Sequence, residues 1–221
     1  SLYHQAACIA AKPYNLIGGL SAHMKNLGTM DRFLRVILAE VCVLIAIFWV
    51  ADEWQIPLYL IAAVMLLQAA TATCSINTLL GWNSCEIVRR RNKNLTTVFV
   101  VTALLLAVVG SYASAVITRS ILLEDAQSVN KSYTMTMQSL GEGDRENATM
   151  QYGILESNFR NFSNKYSKYR PMTVKFDGNF TGYMNNISAA ISDSEEEIRQ
   201  GDLVRGRERL SQAGPEIQRI L

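Results

Sequence analysis

Histidine is almost absent from this chain, and its scarcity limits the chemistry that we expect. Only His4 and His23 occur among 221 residues, and both precede the long apolar runs. Histidine is the side chain that most often transfers protons near neutral pH and the commonest metal ligand. The sequence also shows no glycine-rich phosphate loop and no set of nucleophile, histidine and acid. We therefore expect no enzymatic activity and no cofactor.

Charged residues are also few, at 18% of the chain, where about 25% is usual for a soluble protein. The formal net charge of +2 is too small to indicate nucleic-acid binding. Apolar residues concentrate in residues 33–118, whereas residues 119–221 are more polar. This division predicts a membrane part followed by a water-exposed part.

Three apolar runs in the first part predict three transmembrane helices. The runs cover residues 36–51, 58–73 and 97–118, and about 20 apolar residues span a bilayer as a helix. The first 30 residues lack the long apolar core of a signal peptide. We expect this segment to form one or two short helices on the cytoplasmic membrane surface; the alternative is a loosely ordered tail.

The distribution of lysine and arginine predicts the direction of the spans. The loop between the first two runs has neither residue, whereas basic residues precede the first run and follow the second, Arg89, Arg90 and Arg91 among them. Positive residues stay on the cytoplasmic side. We therefore expect a multi-pass protein of the cell (inner) membrane, with a cytoplasmic amino terminus and a periplasmic or extracellular carboxy terminus.

Two cysteines, Cys74 and Cys85, lie at the predicted cytoplasmic end of the second span. A reducing cytosol disfavours a disulfide there, and the sequence has no Cys-x-x-Cys for an ordinary zinc site. One interpretation is that both are small apolar side chains that pack at the end of a helix. The alternative is a thiol or metal relay, which His4, Cys8 and His23 could join from the same side.

The stretch "NLGTMDRFLRVILA" and this cysteine pair resemble the YgaP-type inner-membrane domain over about residues 24–88. That family has an Asn-x-Gly-x-x-Asp-Arg entry and two cysteines separated by ten residues that include Leu-Gly, and the resemblance implies a two-helix hairpin. Ser75 departs from the family's usual proline, and Glu40 from its small or apolar residues. The matching positions are Asn26, Gly28, Asp31, Arg32, Arg35, Cys74, Gly81 and Cys85.

Two polar residues, Glu40 and Gln68, interrupt the apolar runs. Such groups are costly in lipid unless they are paired, and small residues along the second and third runs let helices approach closely. Besides contact with the bilayer, we therefore expect contacts with other membrane subunits or with copies of this chain. Proton or ion transport is the alternative role for Glu40, although a single acid gives no pathway. Cys42, within the first run, is expected to be inert.

Beyond residue 118, apolar residues repeat at steps of three and four, which is typical of helices with one apolar face. Breaks at residues 140–144, 169–171 and 200–202 predict four helices, and the short connections make them antiparallel. No break separates the first of them from the third span, so we expect one helix from about Thr96 to Leu140. The four stripes are Leu122, Ala126, Val129, Tyr133 and Leu140; Tyr152, Leu155, Phe159, Phe162, Tyr166 and Tyr169; Phe176, Phe180, Met184, Ile187, Ile191 and Ile198; and Leu203, Leu210, Ala213 and Ile217.

The last two predicted helices are similar in arrangement to those of cytochrome b562-type bundles. Those proteins need a histidine near the end of the last helix, where this chain has Gln218. The resemblance therefore implies a bundle without haem. A helix that leaves the membrane and enters a four-helix bundle also resembles the input modules of chemoreceptors.

Five Asn-x-Ser/Thr triplets in the predicted outer part match the acceptor pattern for glycosylation. The alternative is that a surface rich in asparagine and serine produces such triplets by chance. The triplets begin at Asn130, Asn147, Asn161, Asn179 and Asn186.

These observations predict an all-α membrane protein with three transmembrane helices and an extracytoplasmic antiparallel four-helix bundle. Its predicted parts are a cytoplasmic surface segment (1–30), the hairpin (31–88), a basic loop with the third span (89–118) and the bundle (119–221). The predicted function is that of an accessory or structural subunit that presents the bundle to a partner. The alternatives are a sensor-like, ligand-binding bundle and a cytoplasmic thiol or metal relay through Cys74 and Cys85.

Overall fold

The computed structural model describes residues 27–73 and 93–221, and every regular element in these ranges is an α-helix. The all-helical prediction is thus confirmed. Most of the predicted surface segment 1–30 lies outside the described residues. The helices are α1 (Thr29–Phe48), α2 (Asp52–Thr71), α3 (Lys93–Glu142), α4 (Arg145–Lys168), α5 (Met172–Lys175), α6 (Phe180–Gln200), α7 (Leu203–Ser211) and α8 (Ala213–Ile220).

The chain divides into two compact units. The first, which we call the membrane unit, contains the described residues 27–46, 53–73 and 93–112. The second, the bundle unit, contains Ile47–Asp52 and Ala113–Leu221. The short segment between α1 and α2 therefore belongs to the same unit as the helices that follow residue 112.

Two stretches of the described chain have the length and composition to cross a membrane, Asp52–Thr71 and Thr96–Glu142. They include residues 58–71 of the second predicted run and all of the third. The first run is also helical, as part of α1, but that helix has a more polar composition because it carries Asp31, Arg32, Arg35 and Glu40. Two of the three predicted spans are therefore candidate spans in the structure.

The candidate spans expose large apolar side chains along their length. Leu60 and Leu67 of α2, and Leu104 and Val108 of α3, are exposed by 62–69%. Soluble monomers rarely present a continuous apolar surface of this kind, whereas the hydrocarbon core of a bilayer accommodates it. The exposed apolar surface of α2 and α3 is thus suited to contact with lipid.

Within the membrane unit, small and flat side chains let the helices pack closely. The rings of Phe33 in α1 and Phe99 in α3 stack with their centres 4.4 Å apart. A Cβ added at Gly110 of α3 would lie 2.9 Å from Cδ1 of Leu44 in α1. Part of the small-residue face that was expected to meet another subunit is therefore used inside this chain.

The third predicted span and the first bundle helix form one continuous helix. Helix α3 runs from Lys93 to Glu142 without interruption, as expected from the lack of a breaker. Its buried hydroxyls Thr118, Ser132 and Thr136 donate to carbonyl oxygens of the same helix, at 2.8, 2.9 and 2.8 Å. A hydroxyl that bonds to its own helix can be buried without a partner on another helix.

The bundle unit has a core formed by the four predicted stripes, and all of their positions except one are confirmed as buried or packed against the core. The exception is Phe176, whose side chain is 80% exposed. The connection between α4 and α6 contains the short helix α5 rather than a simple turn. Pro171 and Val174 of this connection are buried, so it is anchored without the phenyl ring.

The turns at one end of the bundle use acidic caps and a glycine. Asp144 and Asp202 each accept a hydrogen bond at 3.1 Å from the backbone N–H three residues later, which satisfies a free donor at the start of α4 and of α7. Gly201 ends α6 with φ of 91°, a conformation that favours glycine. Arg145 donates to the carbonyl of Arg199 at 2.6 Å and so joins the turn at Asp144 to the turn at Gly201 and Asp202. We call these two turns the distal turns.

The last predicted helix consists of two helices, α7 and α8, which meet at Gln212. Pro215 lies in the first turn of α8, where proline is tolerated because it replaces an N–H that would have no helical partner. Because proline has no backbone N–H, it also cannot donate a hydrogen bond to a carbonyl group at the end of α7. The fourth predicted helix is therefore interrupted at one residue, Gln212, whose backbone keeps helical angles (φ −66°, ψ −22°), and its apolar face is buried as expected.

Two glycines in the bundle helices have opposite surroundings. A Cβ at Gly206 of α7 would lie 2.6 Å from Cγ1 of Ile198, a fully buried side chain of α6. A Cβ at Gly153 of α4 would meet no atom of the described chain within 4 Å. Close contact between α6 and α7 thus depends on glycine at 206, whereas glycine at 153 serves no packing purpose.

We expect Gly206→Ala to lower the melting temperature of the detergent-solubilised protein and Gly153→Ala to raise it. Alanine favours a helix over glycine by about 1 kcal/mol, and nothing opposes this gain at Gly153. At Gly206 the clash with Ile198 costs about 1–3 kcal/mol and outweighs it. Each 1 kcal/mol corresponds to about 2–4 °C for a chain of this size. A higher melting temperature for both variants would contradict the close α6–α7 contact.

Candidate functional site

Two arginines of α1 bind the carboxyl end of α2. The Arg32 side chain donates from Nε to the carbonyl oxygen of Ala69 at 2.5 Å. The Arg35 side chain donates from Nη1 to Oε1 of Gln68 at 2.5 Å, and its Nε lies 3.4 Å from the Asp31 carboxylate. We call these five residues, Asp31, Arg32, Arg35, Gln68 and Ala69, the hairpin clamp.

The clamp follows from the geometry of a helical hairpin. The last carbonyl groups of a helix have no partner within it, and the last turn of α2 contains no basic residue of its own. Arginines near the start of the antiparallel neighbour can reach these carbonyls, and a positive charge is favourable at a helix carboxyl end. The backbone N–H of Leu27 supplies a further bond, at 3.2 Å, to the carbonyl of Ala72.

The two polar residues of the apolar runs, Glu40 and Gln68, differ in their hydrogen bonds. Gln68 was expected to need a partner, and it has one in the same chain, Arg35. Glu40 is half-buried in α1, and its buried Oε1 makes no hydrogen bond within the described ranges 27–73 and 93–221. Glu40 is therefore a polar side chain of α1 whose buried oxygen has no hydrogen bond in the described chain.

The cysteine site cannot be placed in the structure. Cys74 and Cys85 lie outside the described residues, as do His4, Cys8 and His23. Cys42 is half-buried in α1 and carries a free thiol. Among the described residues, no three His, Cys, Asp or Glu side chains group closely enough to hold a metal ion. The packing and relay interpretations of the cysteine pair both remain predictions.

Residues 48–52, from the end of α1 to the start of α2, contact the rest of the bundle unit through Phe48, Trp49 and Asp52. The Tyr169 hydroxyl donates to the carbonyl of Phe48, the last residue of α1. The Lys175 ammonium lies 3.2 Å from the carboxylate of Asp52. The indole of Trp49 donates to the Ser114 hydroxyl at 3.2 Å. Tyr169 and Lys175 belong to the connection between α4 and α6, and we call residues 168–179 the proximal corner.

A buried tyrosine and an ion pair fix α4 against α3 near this corner. The Tyr166 hydroxyl donates to Oδ2 of Asp125 at 2.7 Å, and Lys165 Nζ lies 2.6 Å from the same oxygen. Burial, with the hydrogen bond to Asp125 and its negative charge, raises the pKa of Tyr166 far above its usual value. The phenol therefore stays neutral and serves as a hydrogen-bond donor rather than as an acid–base group.

The described surface of the bundle unit includes a groove and a shallow, open depression. The groove, of about 250 Å³, lies between α4 and α6. Its lining includes Glu156, Arg160 and Glu195, together with several serines, and Arg160 forms an ion pair with Glu156. The depression, of about 580 Å³, is lined by Arg145, Glu146, Thr149 and Met150 at the start of α4.

The five Asn-x-Ser/Thr triplets differ in accessibility. Asn161, Asn179 and Asn186 are exposed. Asn130 and Asn147 are half-buried and bonded: Asn130 accepts from Gln218 at 3.3 Å, and Asn147 donates to Ser139 at 3.0 Å. A glycan would thus be compatible with the folded surface at three of the five positions.

Sequence reasoning named Arg32 and Arg35 only through the family resemblance and did not assign their contacts. A usable signal was available, because a six-residue loop forces the start of α1 to lie beside the end of α2. The bonds of Tyr169 and Lys175 carried no such signal. They join residues more than 120 positions apart, and no local spacing relates them.

We expect the Arg35–Gln68 bond to appear as a coupling energy in a double-mutant cycle. Hydrogen bonds to charged groups contribute about 1.5–3 kcal/mol, so Arg35→Met and Gln68→Leu should destabilise the protein by less together than in sum. The measurement is thermal unfolding in mild detergent. Arg32→Met with Gln68→Leu is the matched control and should be additive, because Arg32 binds a backbone oxygen. Additivity in both cycles would contradict the assigned bond.

Comparison with known proteins finds a described family whose model matches the hairpin. Residues 24–87 match the family model "Inner membrane protein YgaP-like, transmembrane domain", and both α1 and α2 lie within these residues. The predicted resemblance of this part is confirmed. No curated protein and no solved structure matches the chain. The match and the apolar helices together support an integral protein of the inner membrane.

Proposed function

We propose that this protein is a non-catalytic subunit of a membrane assembly, and that its bundle docks a partner outside the cytoplasm. The observation that carries the proposal is that the core of the bundle is closely packed, so that an open site is found only on its described surface. The void among Phe159, Ile187 and Ile217 is only about 10 Å³, which is at most the space of one water molecule. Recognition by the bundle would therefore use its surface.

The start of α4 is the surface best suited to a protein partner. Met150 and Ile154, one turn apart, are 56% and 44% exposed. Met150 also lines the depression of about 580 Å³ together with Arg145 and Glu146. Exposed apolar side chains bordered by charged ones are typical of interaction sites. We call Arg145, Glu146, Thr149, Met150 and Ile154 the docking face.

Glu40 supports the proposal that the membrane unit packs against another subunit. A carboxyl group within a membrane helix is costly unless it is paired, and within the described chain its buried oxygen makes no hydrogen bond. A hydroxyl or a basic group of another subunit, or of a second copy, would supply the missing donor. The proposal thus assigns the membrane unit to assembly and the docking face to recognition.

The alternative function is that of a ligand-binding, sensor-like bundle. The groove of about 250 Å³ between α4 and α6 favours it, because acidic, basic and hydroxyl groups line one concave surface. A small zwitterionic ligand would match Glu156, Arg160 and Glu195. Binding there would raise the melting temperature with ligand concentration, and Arg160→Gln would abolish this effect.

The proposed topology has a cytoplasmic amino terminus and an extracytoplasmic bundle. The distribution of lysine and arginine supports it. So do the bonds from Phe48 and Asp52 to the proximal corner, which require the α1–α2 segment and the bundle to share one side of the membrane.

We expect a cysteine at Gln138 to react with a membrane-impermeant maleimide in intact cells. Gln138 is exposed on α3, whereas the neighbouring Ser139 is buried and bonded, so the same probe at 139 should react slowly. The wild-type chain controls for its own cysteines, and permeabilised cells give the full signal. Labelling at 138 only after permeabilisation would refute an outside bundle.

We expect a photo-crosslinking amino acid at Met150 to capture one defined protein in native membranes. The same residue at Asp193, which is exposed on α6, is the control and should give no such product. Ile154→Glu should reduce the Met150 crosslink without lowering the melting temperature, because this side chain is exposed. Equal products from both positions would contradict the docking face.

A further inference from the structure

The proximal corner lies beside the end of a candidate span. Lys175 pairs with Asp52 at 3.2 Å, and Asp52 is the first residue of α2, whose stretch Asp52–Thr71 can cross a membrane. Trp49 and Trp54 flank this point and are 44% and 64% exposed. Tryptophans at the end of a span are typical of the boundary between lipid and water, which favours a place for Asp52, and for the Lys175 that contacts it, at this boundary.

The corner also presents an aromatic ring that the bundle does not use. Phe176 is 80% exposed, although it follows the apolar spacing of its stripe. Pro171 and Val174 are buried instead and hold the connection against the core. Phe176 directly follows Lys175, whose ammonium group reaches Asp52. The ring is thus carried by an anchored loop at a fixed place rather than by a loose chain end.

The proximal corner that carries the ring also contains basic residues. Lys168 and Arg170 are exposed, and within the described chain neither forms an ion pair; Arg170 only donates to the Thr181 hydroxyl at 3.4 Å. Lys165 and Lys175 are paired with Asp125 and Asp52. The one acid among residues 168–179, Asp177, accepts from the backbone N–H of Asn179 at 2.9 Å. Lys168 and Arg170 therefore keep positive charges without an ion pair in the described chain, in the same corner as the exposed phenyl ring of Phe176.

We propose that the proximal corner binds the surface of the bilayer that the chain crosses, with Phe176 inserted into the lipid and Lys168 and Arg170 against anionic phosphate groups. An aromatic ring with basic neighbours is the combination by which surface elements bind anionic membranes. Lipid is the occupant because Lys175 of the corner contacts Asp52, the first residue of a candidate span, which lies between Trp49 and Trp54 along the chain. The distal turns lie at the opposite end of α4, whose 24 residues extend about 36 Å.

The test uses the full-length protein in vesicles of phosphatidylethanolamine and phosphatidylglycerol. A photo-crosslinking amino acid replaces Phe176 in one variant and Val204 in the other. Val204 is the matched control, because it is also 80% exposed but follows a distal turn. Mass spectrometry of the intact chain after illumination should find a phospholipid adduct at 176 and none at 204. Both residues are exposed, so neither change disturbs the core.

A second arm tests the basic residues. Lys168→Gln with Arg170→Gln should reduce the lipid adduct at 176 in these vesicles, by up to about fivefold for each charge. In phosphatidylcholine vesicles the same pair should change nothing. Equal lipid adducts at 176 and 204, or a product at 176 with the mass of two chains or of another protein, would overturn the proposal. An unchanged yield in anionic vesicles would overturn the role of Lys168 and Arg170.

Discussion

The carbonyl groups at the ends of membrane helices set the main constraint on this molecule. They have no partner within their own helix, and lipid offers none. The chain satisfies them with specific groups: Arg32 binds the carbonyl of Ala69, the N–H of Leu27 binds that of Ala72, and Tyr169 binds that of Phe48. Each of these bonds also joins two parts of the fold. The same bonds therefore satisfy the helix ends and hold the elements together.

Arginine suits this task better than lysine would. Its planar guanidinium group presents several donors in fixed directions, and Arg35 uses two sides of it, toward Gln68 and toward Asp31. Asp31 in turn lies in the first turn of α1, where a negative charge is favourable. The polar residues that make α1 the least apolar of the three predicted spans are thus largely those that bind α2.

Residue spacing predicted the regular parts of the fold because it reports which side of a helix faces the core. The continuous α3, the four buried faces and the positions of the breaks all follow from local patterns of this kind. Phe176 fits the same spacing but is exposed. Its loop is already anchored by Pro171 and Val174, which precede it along the chain and are buried. A pattern of three and four identifies helical faces, but it cannot recognise a loop that interrupts them.

The candidate sites were less predictable, since they depend on contacts between distant residues. Glu40 and Gln68 look alike in the sequence, as single polar residues in apolar runs. Only the packing of α1 on α2 separates them, because it brings Arg35 to Gln68 and leaves the Glu40 oxygen without a bond in the described chain. Chemical type and position along the chain were available from the sequence; the partner was not.

The buried hydroxyls of α3 have a consequence for motion. Thr118, Ser132 and Thr136 bond to carbonyls of α3 itself, so these bonds move with the helix. A small sliding or turning of α3 would disturb its apolar contacts and its Asp125 bonds to Lys165 and Tyr166, but none of these three. The polar bonds that oppose such a movement come from other residues of α3: Asp125 and Ser139 bind side chains of α4, and Asn130 binds Gln218 of α8.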